Sequence, residues 1–186
     1  MKNHVLSFHA LLISVPLLVA NALAAERGQL SSSDYEFARD AATAGQFEVT
    51  AGRLAADKAM LPGVKQFGEQ MVSDHSKAGE KLKAVVTSKG GTMPTELTST
   101  QRREIDRLSR LTGADFDKAY TTLMVSDHKK VLKEFQKAAK HADDADLKAF
   151  AAETVPVVEH HLSMATSLEE QAKAEAQMSR RPAVKY

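Results

Sequence analysis

Apolar residues recur along most of the chain at alternating steps of three and four positions. Four such series span residues 37–55, 64–85, 116–138 and 147–172. Because an α-helix has about 3.6 residues per turn, each series places its apolar side chains on one helical face. The sequence therefore predicts four amphipathic helices.

Turn-forming and capping residues separate the predicted helices. Ser33 or Asp34 is suited to cap the first helix, and Pro62 suits the first turn of the second. Residues 95–113 form a long connection with a short helix of their own, opened by a capping box of Thr98 with Gln101 and ended by Gly113. Asp143 or Asp144 is suited to cap the fourth helix.

The length of the middle connection decides between two topologies. An antiparallel helical hairpin needs only a few connecting residues. The segment 95–113 is long enough to span the length of a helical bundle. This spacing predicts an all-α fold, a ferritin-like four-helix bundle with a long crossover that carries a short helix. A plain up-down-up-down bundle is the alternative.

The N-terminus predicts export. A mostly apolar run over residues 5–20 follows Lys2, and Ala22-Leu23-Ala24 supplies small residues at a cleavage site. We predict a cleaved signal peptide over residues 1–24, because Ser14, Pro16 and Asn21 break the unbroken run that a membrane anchor needs. A periplasmic or secreted protein follows, with a linker at 25–33, a helical domain at 34–175, a basic disordered tail at 176–186 and no integral membrane span after cleavage.

Composition excludes several classes of protein. The chain contains no cysteine, so disulfide frameworks and thiolate metal sites are excluded. The 25 Lys and Arg balance 24 Asp and Glu, and no basic stripe indicates nucleic-acid binding. Neither a serine–histidine–aspartate order nor a glycine-rich phosphate loop is present. No catalytic residue is therefore predicted.

Each of the four apolar series is interrupted by one polar residue. The four are Glu48, Asp74, Asp127 and His161. From a first turn at residue 61, Glu48 and Asp74 are each 13 positions away (61 − 48 and 74 − 61). From a second turn at residue 144, Asp127 and His161 are each 17 away (144 − 127 and 161 − 144). Residues equally far from a turn lie at equal height in antiparallel helices, so we predict one polar layer near mid-height.

Two further histidines adjoin this layer. The sequence Met-Val-Ser-Asp-His occurs at 71–75 and again at 124–128, which places His75 and His128 beside the two aspartates. Buried charges are costly unless they are paired or bind a metal, and imidazole with carboxylate suits Zn, Fe, Mn or Cu. The candidate metal ligands are Glu48, Asp74, His75, Asp127, His128 and His161.

Two interpretations of this layer remain open. The aspartate–histidine pairs could form a metal-free hydrogen-bonded network that fixes helix register. Alternatively, they hold a metal ion, and methionines four positions from a histidine would then favour copper. Those methionines are Met71, Met124 and Met164, which are equally suited to filling the apolar core.

Several of these motifs together resemble a known bacterial family. They are Phe47-Glu48-Val49, Met71-Val72-x-Asp74-His75, Leu111-x-Gly113-x-x-Phe116-Asp117-x-x-Tyr120, Asp127-His128 and Pro156-x-x-x-x-His161-Leu162. The combination is similar to the domain of unknown function family forty-one forty-two, often labelled predicted outer membrane protein, over residues 34–172. The resemblance implies a ferritin-like fold and an exported protein, and it brings no established activity.

Three hypotheses for function follow. The first is a periplasmic metal-binding bundle, acting in metal handling or stress. The second is a non-catalytic structural or interaction module with a metal-free polar core. The third, a di-iron-type oxidase, meets an obstacle: ferritin-like di-iron proteins carry Glu-x-x-His on two helices, and this sequence has no Glu-x-x-His.

Overall fold

The structure, a computed structural model, describes residues 28–180, and this part of the chain is helical without strands. Five helices follow one another in the order α1 (Ser32–Lys58), α2 (Pro62–Ser88), α3 (Ser99–Ser109), α4 (Gly113–His141) and α5 (Ala145–Met178). The all-α prediction is confirmed, with four long helices and one short one. The predicted signal peptide, residues 1–24, lies outside the described residues.

The helix ends follow the capping chemistry of the sequence, with two corrections. Thr98 and Gln101 form the predicted capping box of α3, and Asp144 caps α5 by accepting hydrogen bonds from the amides of two following residues. The first helix, however, is capped by Ser31, so the prediction of Ser33 or Asp34 is wrong. Gly113 does not end α3; it begins α4, where its positive φ of 58° suits a residue without a Cβ.

The four long helices pack in a closed ring of neighbours. Helix α1 contacts α2 and α4, and α5 contacts α4 and α2, while α3 lies against α1 and α4. Within residues 28–180, no helix contains a stretch long and apolar enough to cross a membrane. Helix α5 continues through residue 178, and Ala176 is buried, so the ordered helix extends into the segment 176–186 that we expected to be a tail.

Two buried aspartates hold the ends of the long helices together. Asp34, near the start of α1, accepts hydrogen bonds from the amides of Asp143 and Asp144 in the α4–α5 turn, at 3.2 and 2.7 Å. Asp117, near the start of α4, accepts from the amides of Met60 and Leu61 in the α1–α2 turn, at 3.0 and 2.7 Å. Helix α1 therefore begins where α4 ends, and α4 begins where α1 ends, so α2 and α4 run in the same direction.

The connection between α2 and α4 travels back along α1. The hydroxyl of Tyr35 donates to the carbonyl of Thr92, the Gln101 side chain donates to the carbonyl of Thr43, and Lys58 donates to the carbonyl of Ser109. These contacts follow α1 from its first turn to its last. The predicted travel of this segment along the long helices is confirmed.

The core consists of two apolar clusters with a polar layer between them. In α2, Phe67 and Met71 belong to one cluster, and Leu82 and Val86 belong to the other. In α4, α5 and α2 alike, a histidine lies between the residues of the two clusters. We call the cluster with Phe67 the lower cluster and the cluster with Leu82 the upper cluster.

Helices α1 and α2 approach closely at two glycines. A Cβ placed on Gly52 would lie 2.7 Å from the carbonyl oxygen of Gly68, and a Cβ on Gly68 would lie 2.7 Å from the carbonyl oxygen of Gly52. No side chain fits between backbones at that separation. The contact is one turn from Glu48 and two turns from His75, so it sets the distance between these two residues.

Candidate metal centre

The histidines, and not the aspartates that precede them, point into the polar layer. The side chains of His128 and His161 are fully buried, and His75 is 10% exposed, whereas Asp74 is 30% exposed. We expected Asp74 and Asp127 to occupy inward-facing positions of their apolar series. In α4 the buried positions instead run Phe116, Tyr120, Met124 and His128, four residues apart. Replacing one expected step of three by a step of four shifts the buried face by one residue, about 100° around the helix.

Three histidines from three helices converge in this layer. One ring nitrogen from each of His75, His128 and His161 lies within 4.8 Å of the other two. The ring centroids are 5.3 Å apart for His75 and His161, 5.6 Å for His128 and His161, and 5.8 Å for His75 and His128. The predicted layer at mid-height is therefore present, with its imidazoles at the centre.

Glu48 of α1 orients His75 of α2. The Nδ1 atom of His75 is 3.0 Å from Oε2 of Glu48, and the Glu48 side chain is 1% exposed. A carboxylate oxygen accepts hydrogen bonds, so the imidazole donates from Nδ1 and carries its lone pair on Nε2. That Nε2 atom is buried and has no hydrogen-bond partner.

His128 is oriented by its own helix. Its Nδ1 atom is 3.0 Å from the carbonyl oxygen of Met124, one turn earlier in α4. The Glu48 Oε1 atom lies 3.4 Å from the same nitrogen and has no hydrogen-bond partner, since the hydrogen on Nδ1 is directed to the carbonyl. As in His75, the lone pair of His128 is therefore on Nε2, which is buried and unpartnered.

His161 completes the set through Asp74. Its Nε2 atom is 3.1 Å from Oδ2 of Asp74, so this imidazole donates from Nε2 and carries its lone pair on Nδ1. The Nδ1 atom is again buried and unpartnered. All three imidazoles thus donate one N–H to an oxygen and leave the other nitrogen free, the arrangement in which protein oxygens fix metal-binding histidines.

The charges in the layer shift the acidities of its members. Burial opposes ionisation of Glu48, but the adjacent histidines, His75 first, outweigh it and lower its pKa to about 2. Burial also disfavours a proton on His75, and Glu48 reverses this, so the pKa of His75 is raised. Burial lowers the pKa of His161 to about 4, with His75 adding to the effect, and burial lowers the pKa of His128.

Asp127 lies beside Glu48 at the edge of the layer. Burial, and then the negative charge of Glu48, raise the pKa of Asp127 to about 7. Its Oδ2 atom is buried and has no hydrogen-bond partner. The six candidate ligands therefore divide into three central imidazoles and three surrounding carboxylates, because among residues 28–180 no carboxylate joins the group of atoms close enough to share one ion.

The lower cluster closes one side of the histidine layer. The ring centroid of Phe67 is 6.4 Å from that of His128 and 6.4 Å from that of His161. Met71 and Met124 are fully buried members of the lower cluster, and Met164 packs against it. The methionines considered as copper ligands thus belong to the apolar packing around the layer.

Tyr120 is a buried polar residue that the sequence pattern did not single out as part of the site. Its side chain is fully buried in the lower cluster, and its hydroxyl has no hydrogen-bond partner. Burial, and then the charge of Glu48, raise the pKa of this phenol far above its ordinary value. The residue occupies an apolar position of the α4 series, so its spacing alone gave no polar signal.

Other histidines near these motifs do not enter the layer. His160, next to His161, is exposed, and so is His141 at the end of α4. Glu159 is exposed as well and accepts a hydrogen bond from the side chain of Gln136. These residues are suitable controls for any measurement on the three central histidines.

Comparison with known proteins gives a family and no activity. Neither the curated proteins nor the solved structures contain a match to this chain. The family described as Domain of unknown function (DUF4142) matches residues 19–168, which is more than half of the 186-residue chain. The matched range includes every residue of the histidine layer, and the chain belongs to this family of domains of unknown function.

Proposed function

We propose that this protein is an exported metal-binding protein that holds one transition-metal ion on His75, His128 and His161. One observation carries the proposal. Three imidazoles from three helices come within ligand-sharing distance of one another, and each has one buried ring nitrogen without a partner. Buried polar atoms are ordinarily satisfied, and a metal ion would satisfy all three at once.

The donor set favours zinc or copper. Three neutral imidazoles suit Zn, Cu, Fe and Ni, whereas Mn prefers carboxylate and carbonyl oxygens. Glu48 and Asp74 are engaged by histidine N–H groups, so they act as orienting partners and not as ligands. This arrangement argues against a di-iron oxidase, in which carboxylates bridge two metal ions.

A metal-free polar core is the competing interpretation. Such a network would need the ring nitrogens of the three histidines to be satisfied by one another or by nearby carboxylates. Instead, His75 Nε2, His128 Nε2 and His161 Nδ1 all lack a partner. The cost of three unsatisfied buried nitrogens, about 1–3 kcal/mol each, favours an occupant.

We further propose that the fold is a ferritin-like four-helix bundle. Support comes from the parallel course of α2 and α4 and from the connection that runs back along α1 between them. Export is proposed from the apolar run at residues 5–20. With no catalytic residues identified, metal handling outside the cytoplasm is the role that these features support.

Metal analysis of protein purified without a histidine tag or chelator tests this proposal. We expect about one zinc or copper ion per chain in the wild type, and loss of at least 90% of it in H75A, H128A and H161A. The variant H160A is the matched control, because it removes an exposed histidine adjacent to His161. Equal metal contents in wild type and the three variants, or no binding when each is titrated with Zn, Cu, Fe and Mn, would exclude the proposal.

A further inference from the structure

A cavity of about 700 Å³ opens between α1, α2 and the segment 91–97. It extends into the upper cluster, where its walls include Leu82, Phe135 and Phe150. Along α2 the lining reaches from His75 to Thr87, which is about 18 Å at about 1.5 Å per residue. The cavity is therefore elongated, and one of its ends is formed by Glu48 and His75 of the histidine layer.

The cavity lies immediately above this layer on all four long helices. Gly45 precedes Glu48 by three residues, Ala78 and Val131 follow His75 and His128 by three, and Val158 precedes His161 by three. All four of these residues line the cavity, and so do Glu48 and His75. Small residues on α1 and α2, where bulky ones would fill the core, leave the space open.

The two sides of the layer differ. Below it, Phe67 packs against two of the histidine rings, and Met71 is fully buried. Above it lies the cavity. A metal ion with three imidazole ligands ordinarily takes a fourth ligand, and a site with only three protein ligands keeps that position open. Resting on the proposed function, the open position would face the cavity on the side of His75, which lines it, whereas His128 and His161 lie behind.

We propose that the cavity binds a medium-chain monocarboxylate, with its alkyl chain along the upper cluster and its carboxylate on the metal held by the three histidines. The volume and apolar walls fit a small organic molecule. Glu48 and His75 are the groups of the histidine layer that line the cavity, and the other charged lining residues, Glu80 and Lys83, are exposed. One polar head at one end of an apolar body is therefore the chemistry that the cavity matches.

Charge makes the binding depend on the metal. Without metal, the inner end of the cavity holds the Glu48–His75 pair, which has no net positive charge to attract a carboxylate. A divalent ion held by the three imidazoles adds positive charge at this end of the cavity. Decanoate should accordingly bind the metal-loaded protein at least tenfold more tightly than the metal-free protein, whereas the uncharged 1-decanol should discriminate much less.

Calorimetric titration of the full chain with decanoate, with and without zinc, tests the proposal. A41F fills the cavity two turns from Glu48, and G79F adds a ring to its wall at a position where an added Cβ meets open space. A152F, at an exposed position of α5, is the matched control. We expect A41F and G79F to keep wild-type zinc affinity and to bind decanoate at least tenfold more weakly than wild type and A152F.

The outcomes separate this inference from the proposed function. Zinc-loaded wild type that binds no decanoate, or A41F and G79F that bind it as wild type does, would overturn the inference and leave the metal site standing. Failure to bind zinc would overturn the proposed function and the preference for the carboxylate. In that case, if metal-free wild type binds 1-decanol and A41F does not, the cavity is a purely apolar binding site. If metal-free wild type does not bind 1-decanol, the cavity is not a binding site for such molecules.

Discussion

The Glu48 carboxylate of α1 lies 3.0 Å from the His75 imidazole of α2, and both are almost fully buried. This contact fixes which nitrogen of His75 carries the lone pair. It also supplies the negative charge to which the other histidines of the layer respond. Glu48 is thus placed to set the orientation and the charge of the histidines without itself being one of the three central ligands.

Replacing Glu48 by glutamine should weaken metal binding without abolishing it. Glutamine keeps an oxygen that accepts a hydrogen bond from His75. It removes the negative charge that makes the imidazole a stronger electron-pair donor to the metal. We expect E48Q to lower zinc affinity about 10–100-fold, the usual effect of losing an orienting partner. Competition with a chromophoric chelator measures this. E170Q, at an exposed position of α5, should match wild type, and an E48Q affinity equal to wild type would show that Glu48 does not orient the site.

The close approach of α1 and α2 should tolerate no added methyl group. In G52A or G68A the new Cβ would lie 2.7 Å from a carbonyl oxygen of the other helix, so the helices must separate. We expect a loss of about 1–3 kcal/mol in the free energy of unfolding, measured by urea denaturation.

Gly79 provides a control for this contact, because its substitution by alanine should raise the free energy of unfolding and not lower it. A Cβ at Gly79 meets nothing within 4 Å, so G79A should stabilise α2 by about 0.5–1 kcal/mol. If G52A, G68A and G79A all changed stability in the same direction, the glycine contact would not be the constraint that we describe.

The hydroxyl of Tyr120 should contribute nothing to stability. It is buried without a hydrogen-bond partner, so its desolvation is uncompensated. We expect Y120F to leave the free energy of unfolding unchanged or to raise it by up to about 1 kcal/mol. Thermal and urea unfolding of the metal-free protein measure this. A loss of more than about 1 kcal/mol would mean that this hydroxyl has a partner in the folded protein.

The ion pair at the start of α5 should produce a defined pH dependence. Lys89 Nζ lies 2.7 Å from Oδ2 of Asp144, while Oδ1 of Asp144 caps the helix. Burial opposes ionisation of Asp144, but the bond from Lys89 and the capping amides outweigh it, so its pKa is lowered. An acid with a lowered pKa stabilises the fold above its ordinary pKa, and this stability is lost as the pH falls through the folded value.

The variant D144N separates this charge from the cap, because asparagine is also a good N-cap. Wild type should exceed D144N by about 1 kcal/mol in the free energy of unfolding at pH 7. The difference should shrink as the pH falls below the ordinary value of 3.8. Urea titrations from pH 7 to pH 3 measure it, and a difference that stayed constant over this range would assign the effect to capping alone.

The sequence predicted the helices and the height of the polar layer because both follow from spacing. Helical periodicity located the four long helices, and counting from the turns brought Glu48 to the level of His75 and His128. Equal numbers of residues from a turn give equal heights whatever the side chains are. The six candidate residues therefore came together as expected.

Rotation about each helix was the less predictable quantity. A shift of one residue exchanged Asp74 for His75 and Asp127 for His128 at the centre of the layer. A step of three and a step of four residues lead to positions about 100° apart around the helix axis. Where two adjacent residues are both apolar, as Leu123 and Met124 are, the sequence does not show which of them faces the core. Only the packing of neighbouring helices decides between them.

Long-range hydrogen bonds from side chains to backbone amides could not be predicted, because they produce no periodic pattern in the sequence. Asp34 was one of the two residues expected to cap α1, yet its carboxylate accepts hydrogen bonds from the α4–α5 turn, 109 residues away in sequence. Asp117 does the same for the α1–α2 turn. The cavity above the histidines was equally invisible, because small residues such as Ala41 and Ala78 indicate close packing as readily as open space.

X-ray absorption of the zinc- or copper-loaded protein tests the proposed metal centre most directly. The outer-shell scattering of imidazole rings counts the histidines on the metal, and we predict three in the wild type, with two or fewer on the residual metal that H128A retains. A bound metal coordinated mainly by carboxylate oxygens, or an imidazole count unchanged by H128A, would contradict a centre built on His75, His128 and His161.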